Sequence, residues 1–506
     1  MFKHRRVLSA IATAIAASQG FADTVTVCPD GSCDFTTIRA AVKSASQGDV
    51  IEIGEGVYAL VAPIELAGRN LVLQGPEATG DRSAVVIDGL DSTSAFVCTD
   101  GDRSIFRNLS FANGRGTLVT FPGQGTFSVG GAVQSFDASP TFEHCDFSSN
   151  VADFGGAALL FGAGTATFTD CTFQLNETLS DDGGAVLGFS QPGGALSLEF
   201  TGCDFAGNRT TTGQYGGAIA SGDANLRLTD CRFNGNIAGG SAGGLGGAVS
   251  VEAYEGTPVV RIESCTFVEN EVSAGDCFDE GLGGALFLDG CDDAVLIDCV
   301  FNDNRGGCSG GGGSAIWVQE GSPSFVECRF QHHDLGSNVI QTYLADVTLI
   351  DCDVAGNAVG EAIRFDAGMA SMTNCTLTDN DNAVLLIDGN LDLEQCTIRD
   401  NLGEAVRGAG GNLVDVVDSL ICGNNLGGPQ FTGANVQVDD LSTISVDCPT
   451  DPPGDLDGDG SVNGVDLGLV FAGWGACGPD ACPADLNGDG VVDGTDLGLL
   501  FIDWTG

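Results

Sequence analysis

The sequence predicts an all-β solenoid, in which short strands wind into coils that stack along one axis. Three observations carry this. One phrase, Cys-x-Phe-x-x-Asn, recurs as CDFSSN (145–150), CTFQLN (171–176), CDFAGN (203–208), CRFNGN (231–236), CTFVEN (265–270) and CVFNDN (299–304). It returns with a smaller apolar residue as CDVAGN (352–357), CTLTDN (375–380) and CTIRDN (396–401), and degenerates to CRFQHH (328–333) and SLICGN (419–424). Successive copies begin 26, 32, 28, 34, 34, 29, 24, 23, 21 and 23 residues apart, the range of stacked repeat architectures. Finally, 77 glycines and only 17% charged residues describe a turn-rich β chain.

The phrase explains itself as the inside of a tube. In a strand, positions i and i+2 share a face, so Cys and Phe point inward and the residue between them faces water. Stacked coils then place Cys on Cys and Phe on Phe. The Asn is expected to close the strand at a left-handed or bridging turn and to bond the backbone and the next Asn along the stack. Gly-Gly-Ala, which follows many copies, leaves room for a sharp corner. The ladder cysteines read as buried, reduced packing residues, with some disulfides between coils or a redox or metal role as alternatives.

Taken in order, residues 1–22 have a basic start (Lys3, Arg5, Arg6), an apolar run and a small-residue exit, and read as a secretory signal with no transmembrane anchor. Export permits disulfides, and Cys28–Cys33 is an expected pair around the Asp30-Gly31 turn. Phe35, Ile38, Ala41, Val42 and Ala45 fall at helical spacing, so an amphipathic helix is expected before the first strand, covering the open apolar end of the solenoid. Val50, Ile51 and Ile53 start that strand. Short strands follow within 63–68, 70–75, 84–89 and 106–114.

The run from Phe35 through Ile38, Ala41, Gly48, Asp49, Ile51, Ile53 and Gly56 to Tyr58 resembles the entrance of the right-handed parallel β-helix superfamily, the pectin-lyase-like fold. The resemblance extends through the repeats and implies one parallel β-helix domain over 23–448. That fold hosts lyases, hydrolases and adhesins, so activity must come from a site. The repeats also resemble the Phe-x-x-Asn and Gly-Gly-Ala-Ile repeats of polymorphic outer-membrane adhesins, with GGAI at 216–219. Those proteins end in a membrane barrel, and this chain ends otherwise, so an autotransporter is not expected.

The formal charge of −50 becomes about −53 without the three leading basic residues (16 basic against 69 acidic), which disfavours nucleic acid and anionic membranes as partners. A lyase on this fold would need a base, and Lys43, in the cap, is the one lysine beyond the signal. The candidate catalytic cluster is His332, His333 and Asp334 with Tyr343 and Arg364, because His333 breaks the Asn position of its repeat. The competing expectation is a tolerated substitution on a surface turn. Asp181-Asp182, the acids within 276–280, and Asp292-Asp293 read as solvated loops. Cys277 with Cys308, and Cys422 with Cys448, are further candidate disulfides.

Residues 449–454 form a short linker, and two copies of a different unit follow over 455–506. DLDGDGSVNGVD and DLNGDGVVDGTD place oxygen ligands at loop positions 1, 3, 5, 7, 9 and 12, with Gly at 6. These are Asp455, Asp457, Asp459, Ser461 (carbonyl), Asn463 and Asp466, then Asp485, Asn487, Asp489, Val491 (carbonyl), Asp493 and Asp496. Each loop precedes a short apolar helix, and Cys477–Cys482 is expected to bridge the connector. The pair resembles a cellulosomal dockerin, a small α module of EF-hand type, which implies two Ca²⁺ ions and a cohesin-like or cell-envelope protein as partner. Positions 10 and 11, which read the cohesin in dockerins, are Gly464-Val465 and Gly494-Thr495 here, a departure from the usual pattern. The expected function is a secreted, surface-associated rod with a docking tail, associated with carbohydrate; the alternative is a polysaccharide lyase or glycoside hydrolase.

Overall fold

The computed structural model describes residues 22–76, 82–121, 125–212, 215–240, 243–274, 281–306, 312–334, 338–409, 411–448, 454–457, 462–477, 482–502 and 504. Residues 1–21 of the proposed signal, the Cys277–Cys308 pair, the acids within 276–280, Asp459, Ser461 and residues 449–453 of the linker lie outside these. No helix among the described residues is long and apolar enough to cross a membrane.

The described chain is almost entirely β. A 15-stranded parallel sheet, running in sequence order from Gly56–Ala59 to Thr443–Ser445, forms one face of a parallel β-helix. Each phrase contributes one of its strands: Asp146–Ser148 pairs in register with Thr172–Gln174, and that with Asp204–Ala206. Two other ladders join into a 28-stranded sheet, because Glu361–Thr373 runs straight through a corner and pairs with both Asn338–Tyr343 and Val347–Ile350. A short five-stranded ladder follows the Asn positions, from Val151–Ala152 to Glu271–Ala274.

The interior follows from period-two alternation. Phe147, Phe173, Phe205, Phe233, Phe267, Phe301 and Phe330 stack ring on ring, with centroids 4.6–5.0 Å apart in successive pairs. Among the described residues twelve cysteines are unpaired and buried. Burial pushes the Cys98 thiol well above its ordinary range and Cys291 up to about 12, so these are apolar packing groups carrying a weak donor. Among the described residues the expected bridges Cys28–Cys33, Cys422–Cys448 and Cys477–Cys482 are formed.

The Asn positions form a buried ladder. Asn150, Asn176, Asn208, Asn236 and Asn270 each donate backbone and side-chain N–H groups to the Asn Oδ1 of the next coil at 2.9–3.1 Å. The left-handed residue, expected at Asn, is instead the one before it: Ser149, Leu175, Glu269, Asp303 and Asp379 have φ of 52–56°. Asn itself is thereby free to turn its amide inward. A second left-handed corner precedes Cys, as at His144 and Asp170, where φ is 53° and 50°. Gly-Gly-Ala has a steric reason: a Cβ on Gly184 would sit 2.0 Å from the Gly217 carbonyl oxygen of the next coil.

At the amino end, Thr37 caps the helix Ile38–Ser44, whose Ile38, Ala41 and Val42 close the core. The helix does not precede the first strand, as expected from the sequence. Thr24–Val27 comes first and pairs with Val50–Ile53, so the helix is a crossover within the first coil. Beyond the rod, the described part of the tail has the helices Gly464–Ala472 and Gly494–Leu500, packed through Val462, Val470, Val492 and Leu500.

Candidate functional site

After each Gly-Gly-Ala the strand has an outward side, and in the first three of four consecutive coils it is not polar. The strands Ala158–Gly162, Val186–Ser190, Ile219–Gly222 and Val249–Glu252 align Leu159, Leu187, Ala220 and Ser250 in one row. Phe161, Phe189, Gly222 and Glu252 form the next. An inserted antiparallel hairpin, Thr117–Phe121 with Gly125–Val129, folds over the first of these coils and brings in Phe121. The residue just before Gly-Gly-Ala contributes Phe154, Asp182 and Tyr215 from successive coils. All of these except Ser250, with Asp181 and Tyr254, line a cleft of about 480 Å³.

Its wall is a chain of rings. Phe121 lies 5.9 Å from Phe154 and 6.4 Å from Phe161; Phe161 lies 6.0 Å from Phe189, and Phe189 lies 6.1 Å from Tyr254. The Tyr254 loop is pinned by Asp223, whose Oδ1 accepts the backbone N–H groups of Tyr254 and Gly256 at 2.8 Å. A Cβ on Gly222 would meet the Phe189 ring at 2.7 Å and the Tyr254 ring at 3.2 Å, so glycine lets both rings close down on the strand.

The acids of the cleft are partly withdrawn from water, Asp181 and Asp182 half-buried and Glu252 buried. Asp182 accepts the Tyr215 backbone N–H at 2.9 Å, and burial, reinforced by Asp181 and Glu252, pushes its carboxyl up to about 8. Glu252 is 7% exposed, accepts the Tyr254 hydroxyl, and is pushed up to about 7, chiefly by burial. Burial likewise raises Asp181 and moves the Tyr215 phenol up to about 12. The sequence reading of Asp181-Asp182 as a solvated loop is therefore corrected, whereas Asp292 and Asp293 are indeed exposed. The overlooked signal was local: Phe161 and Phe189 stand where alternation calls for a polar residue.

The cluster proposed around His333 is divided by the fold. His332 and His333 follow Arg329–Gln331 in the 15-stranded sheet, while Tyr343 and Arg364 belong to the 28-stranded sheet. His332 and Asp334 are exposed; the His332 Nδ1 is 2.9 Å from Asn302 Oδ1. Arg364 is engaged by Asp366 at 2.9 Å. His333, expected on a surface turn, is fully buried, because it occupies a rung of the Asn ladder. Its backbone N and ring Nδ1 both lie 3.0 Å from Asn357 Oδ1, which makes Nδ1 the protonated nitrogen, and Nε2 finds no partner among the described residues.

In the tail, Asn463 and Asp493 cap the two helices in reciprocal boxes with Asp466 and Asp496. Asp455, Asp457 and Asp466 each present a carboxylate oxygen within 4.8 Å of the others. An all-oxygen set of this kind suits a hard divalent cation such as Ca²⁺. In the second loop Asp485 accepts N–H groups from Gly488, Asp489 and Gly490 at 2.8–3.1 Å, and Asp496 those of Asn487 and Asp493 at 3.1 and 2.8 Å. Asn487 and Asp489 each accept the N–H two residues on, and Val491 lies in the short strand Val491–Val492.

Stacked parallel coils with an aromatic, acid-bearing cleft on one side define a β-helix rod with a lateral cleft. The chain belongs to the family described as right handed beta helix region, whose model matches residues 83–314 and 284–440. It is 36% identical over 134 residues to the Probable autotransporter YfaL of Escherichia coli (strain K12). That match covers 25% of this chain and 10% of the relative, so the chain spans about a tenth of its length. Among solved structures it is similar to the periplasmic alginate epimerase AlgG (9% identity, TM-score 0.34, 78% of this chain and 77% of that one). It is likewise similar to PfbA, a surface adhesin of Streptococcus pneumoniae (11%, 0.36, 76% and 85%). The Siphovirus 9NA tailspike receptor binding domain compares at 11% identity and TM-score 0.36, over 85% and 78%.

Proposed function

We propose that this protein is a secreted, surface-associated β-helix rod that binds a glycan in its lateral cleft. In this reading the tail is a dockerin-like module that holds two Ca²⁺ ions and docks the rod to a cohesin-like or cell-envelope protein. The observation that carries the glycan reading is the row of rings from Phe154 to Tyr254 bordering a cleft of about 480 Å³. Flat apolar ring faces pack against the C–H faces of sugars while carboxyls and hydroxyls beside them accept and donate hydrogen bonds. The surface location is supported by the match to part of a probable autotransporter, and the Ca²⁺ reading by the grouping of Asp455, Asp457 and Asp466.

Affinity electrophoresis of the full chain in gels containing a panel of soluble polysaccharides tests the glycan reading. At least one gel should retard the protein, and Phe189→Ala should abolish the retardation with the fold intact by circular dichroism. Unchanged mobility in every gel refutes it. One observation favours a second reading, glycoside hydrolysis: two carboxyls in the cleft, Asp182 and Glu252, are held up to about 8 and 7, where a carboxylic acid can protonate a leaving group. Release of new reducing ends from a retarded polysaccharide, lost in Glu252→Gln, would establish it.

A further inference from the structure

We infer that the cleft accepts a positively charged organic group, so that the glycan bound there carries free ammonium groups, as a polymer of amino sugars does. This rests on the glycan-binding reading and adds a charge to the ligand.

Three carboxyls, Asp181, Asp182 and Glu252, border the cleft, and none of the described residues lining it is basic. Elsewhere on the rod, some acids face arginines one or two coils away. Arg107 lies 2.5 Å from Glu143, Arg209 lies 3.0 Å from Glu177, and Arg407 pairs with Glu361. Glu177 and Arg209 belong to the same coils as the cleft, and this guanidinium donates to Glu177. The recess thus concentrates acidic groups in an apolar setting, an arrangement that a bound counter-charge stabilises.

The rest of the lining decides what kind of cation fits. Six rings, those of Phe121, Phe154, Phe161, Phe189, Tyr215 and Tyr254, line the same space. Ring faces attract ammonium groups through their quadrupoles, most strongly where water is excluded. A metal ion would use only the oxygens and would fill a small part of about 480 Å³. An ammonium on a sugar ring uses the carboxylates, the ring faces and the volume together. Phe189 and Tyr254 pack over Gly222, whose partner in the outward row is Glu252, so acid and rings border the same space.

The ionisable groups facing one another here are Asp181, Asp182, Tyr215, Glu252 and Tyr254, with Asp289 on the following strand. Every acidic one that burial has shifted is raised, so near pH 7 part of this set carries protons. A permanent cation stabilises the ionised forms, so it binds more tightly as pH rises and releases protons on binding near neutrality.

Isothermal titration calorimetry on the full chain tests this, with fully deacetylated chitotetraose, its N-acetylated counterpart, tetramethylammonium chloride and calcium chloride as probes. At pH 6.5 the deacetylated tetramer should bind at least about tenfold more tightly than the acetylated one. Tetramethylammonium affinity should rise severalfold from pH 6 to pH 8.5, with proton release at pH 7 seen by comparing buffers of different ionisation enthalpy. The near-isosteric double variant Asp182→Asn, Glu252→Gln, checked for folding by circular dichroism, should lose at least about tenfold in affinity for both cationic probes. Equal or tighter binding of the acetylated tetramer would overturn the charge assignment while leaving glycan binding standing. Failure of every glycan, here and in the gel panel, would remove both. Calcium binding that is lost in the double variant and outcompetes tetramethylammonium would replace the organic cation with a metal ion and so overturn the proposal.

Discussion

The side-chain oxygen of Asn236 accepts two hydrogen bonds from Asn208, one from its backbone N–H at 3.1 Å and one from its side-chain amide at 2.9 Å. The Asn236 amide in turn donates to the Phe205 carbonyl and to Asn270 Oδ1. All of these groups are buried, so removing one residue orphans donors and acceptors in the coils on both sides. Asn236→Ala should cost about 3 kcal/mol, the range expected when several buried polar groups lose partners together. Because solenoid coils contact only their neighbours, the loss should be local. Hydrogen exchange should accelerate around Asn208 and Asn270 and remain unchanged near Asn401.

His333 offers the opposite experiment. It fills an Asn rung but leaves Nε2 without a partner among the described residues, and burial lowers its pKa to about 4. His333→Asn should therefore stabilise the rod by about 1–2 kcal/mol at pH 7.5. The folded pKa lies below the unfolded value of 6.5, so stability is full above pH 6.5 and falls between there and about pH 4, as the unfolded chain takes up a proton that the folded chain refuses. The variant should lack this component of acid destabilisation. Equal melting temperatures for the two proteins at pH 7.5, and parallel decline below pH 6.5, would contradict the assignment.

The cleft carboxyls have the reverse sign. Asp182 and Glu252 are raised in the folded protein, so the native state holds protons that the unfolded state has released, and stability falls as pH climbs from about 4.5 through 8. The double variant Asp182→Asn, Glu252→Gln should be more stable than the parent at pH 8.5 and similar to it at pH 4. Thermal melts at the two pH values read the difference directly.

For the tail, the tryptophans supply a built-in probe. Trp474 and Trp504 lie in the terminal module and only Trp317 lies in the rod, where it is 9% exposed. Adding a chelator to the full chain should shift the emission toward the red, and excess Ca²⁺ should restore it. Asp466→Ala, which removes a fully buried carboxylate that accepts three backbone N–H groups, should weaken that restoration. An emission spectrum indifferent to chelator in the parent chain would dispose of the Ca²⁺ reading.

The rod was legible because its rule is one-dimensional. Cys145 and Phe147 face inward for the same reason as Cys171 and Phe173, and counting along the chain suffices to see it. The corner geometry was less visible, since the left-handed residue before Asn is Ser149 in one coil and Leu175 in the next, with no side chain in common. His333 was recognised as a break in pattern, but whether its ring faced in or out depended on the ladder that Asn357 continues. The cleft was hidden because it is a property of register between coils: Phe161, Phe189 and Glu252 share a row only after loops of unequal length have been wound in. In the tail, the in-register acidic loops announced a grouping of carboxylates, and Asp455, Asp457 and Asp466 do converge.

The 15-stranded face also acts as a measure of length. At roughly 4.8 Å per coil, its strands span on the order of 65 Å, and the Val249–Glu252 strand at the edge of the cleft stands about seven coils, or about 35 Å, before the final outer strand Phe431–Thr432. The regular coils in between work as a spacer whose length is set by copy number. Removing one whole repeat would bring the cleft closer to the end of the rod by a single coil height without altering the chemistry of either, so reach and recognition can vary separately in such a chain.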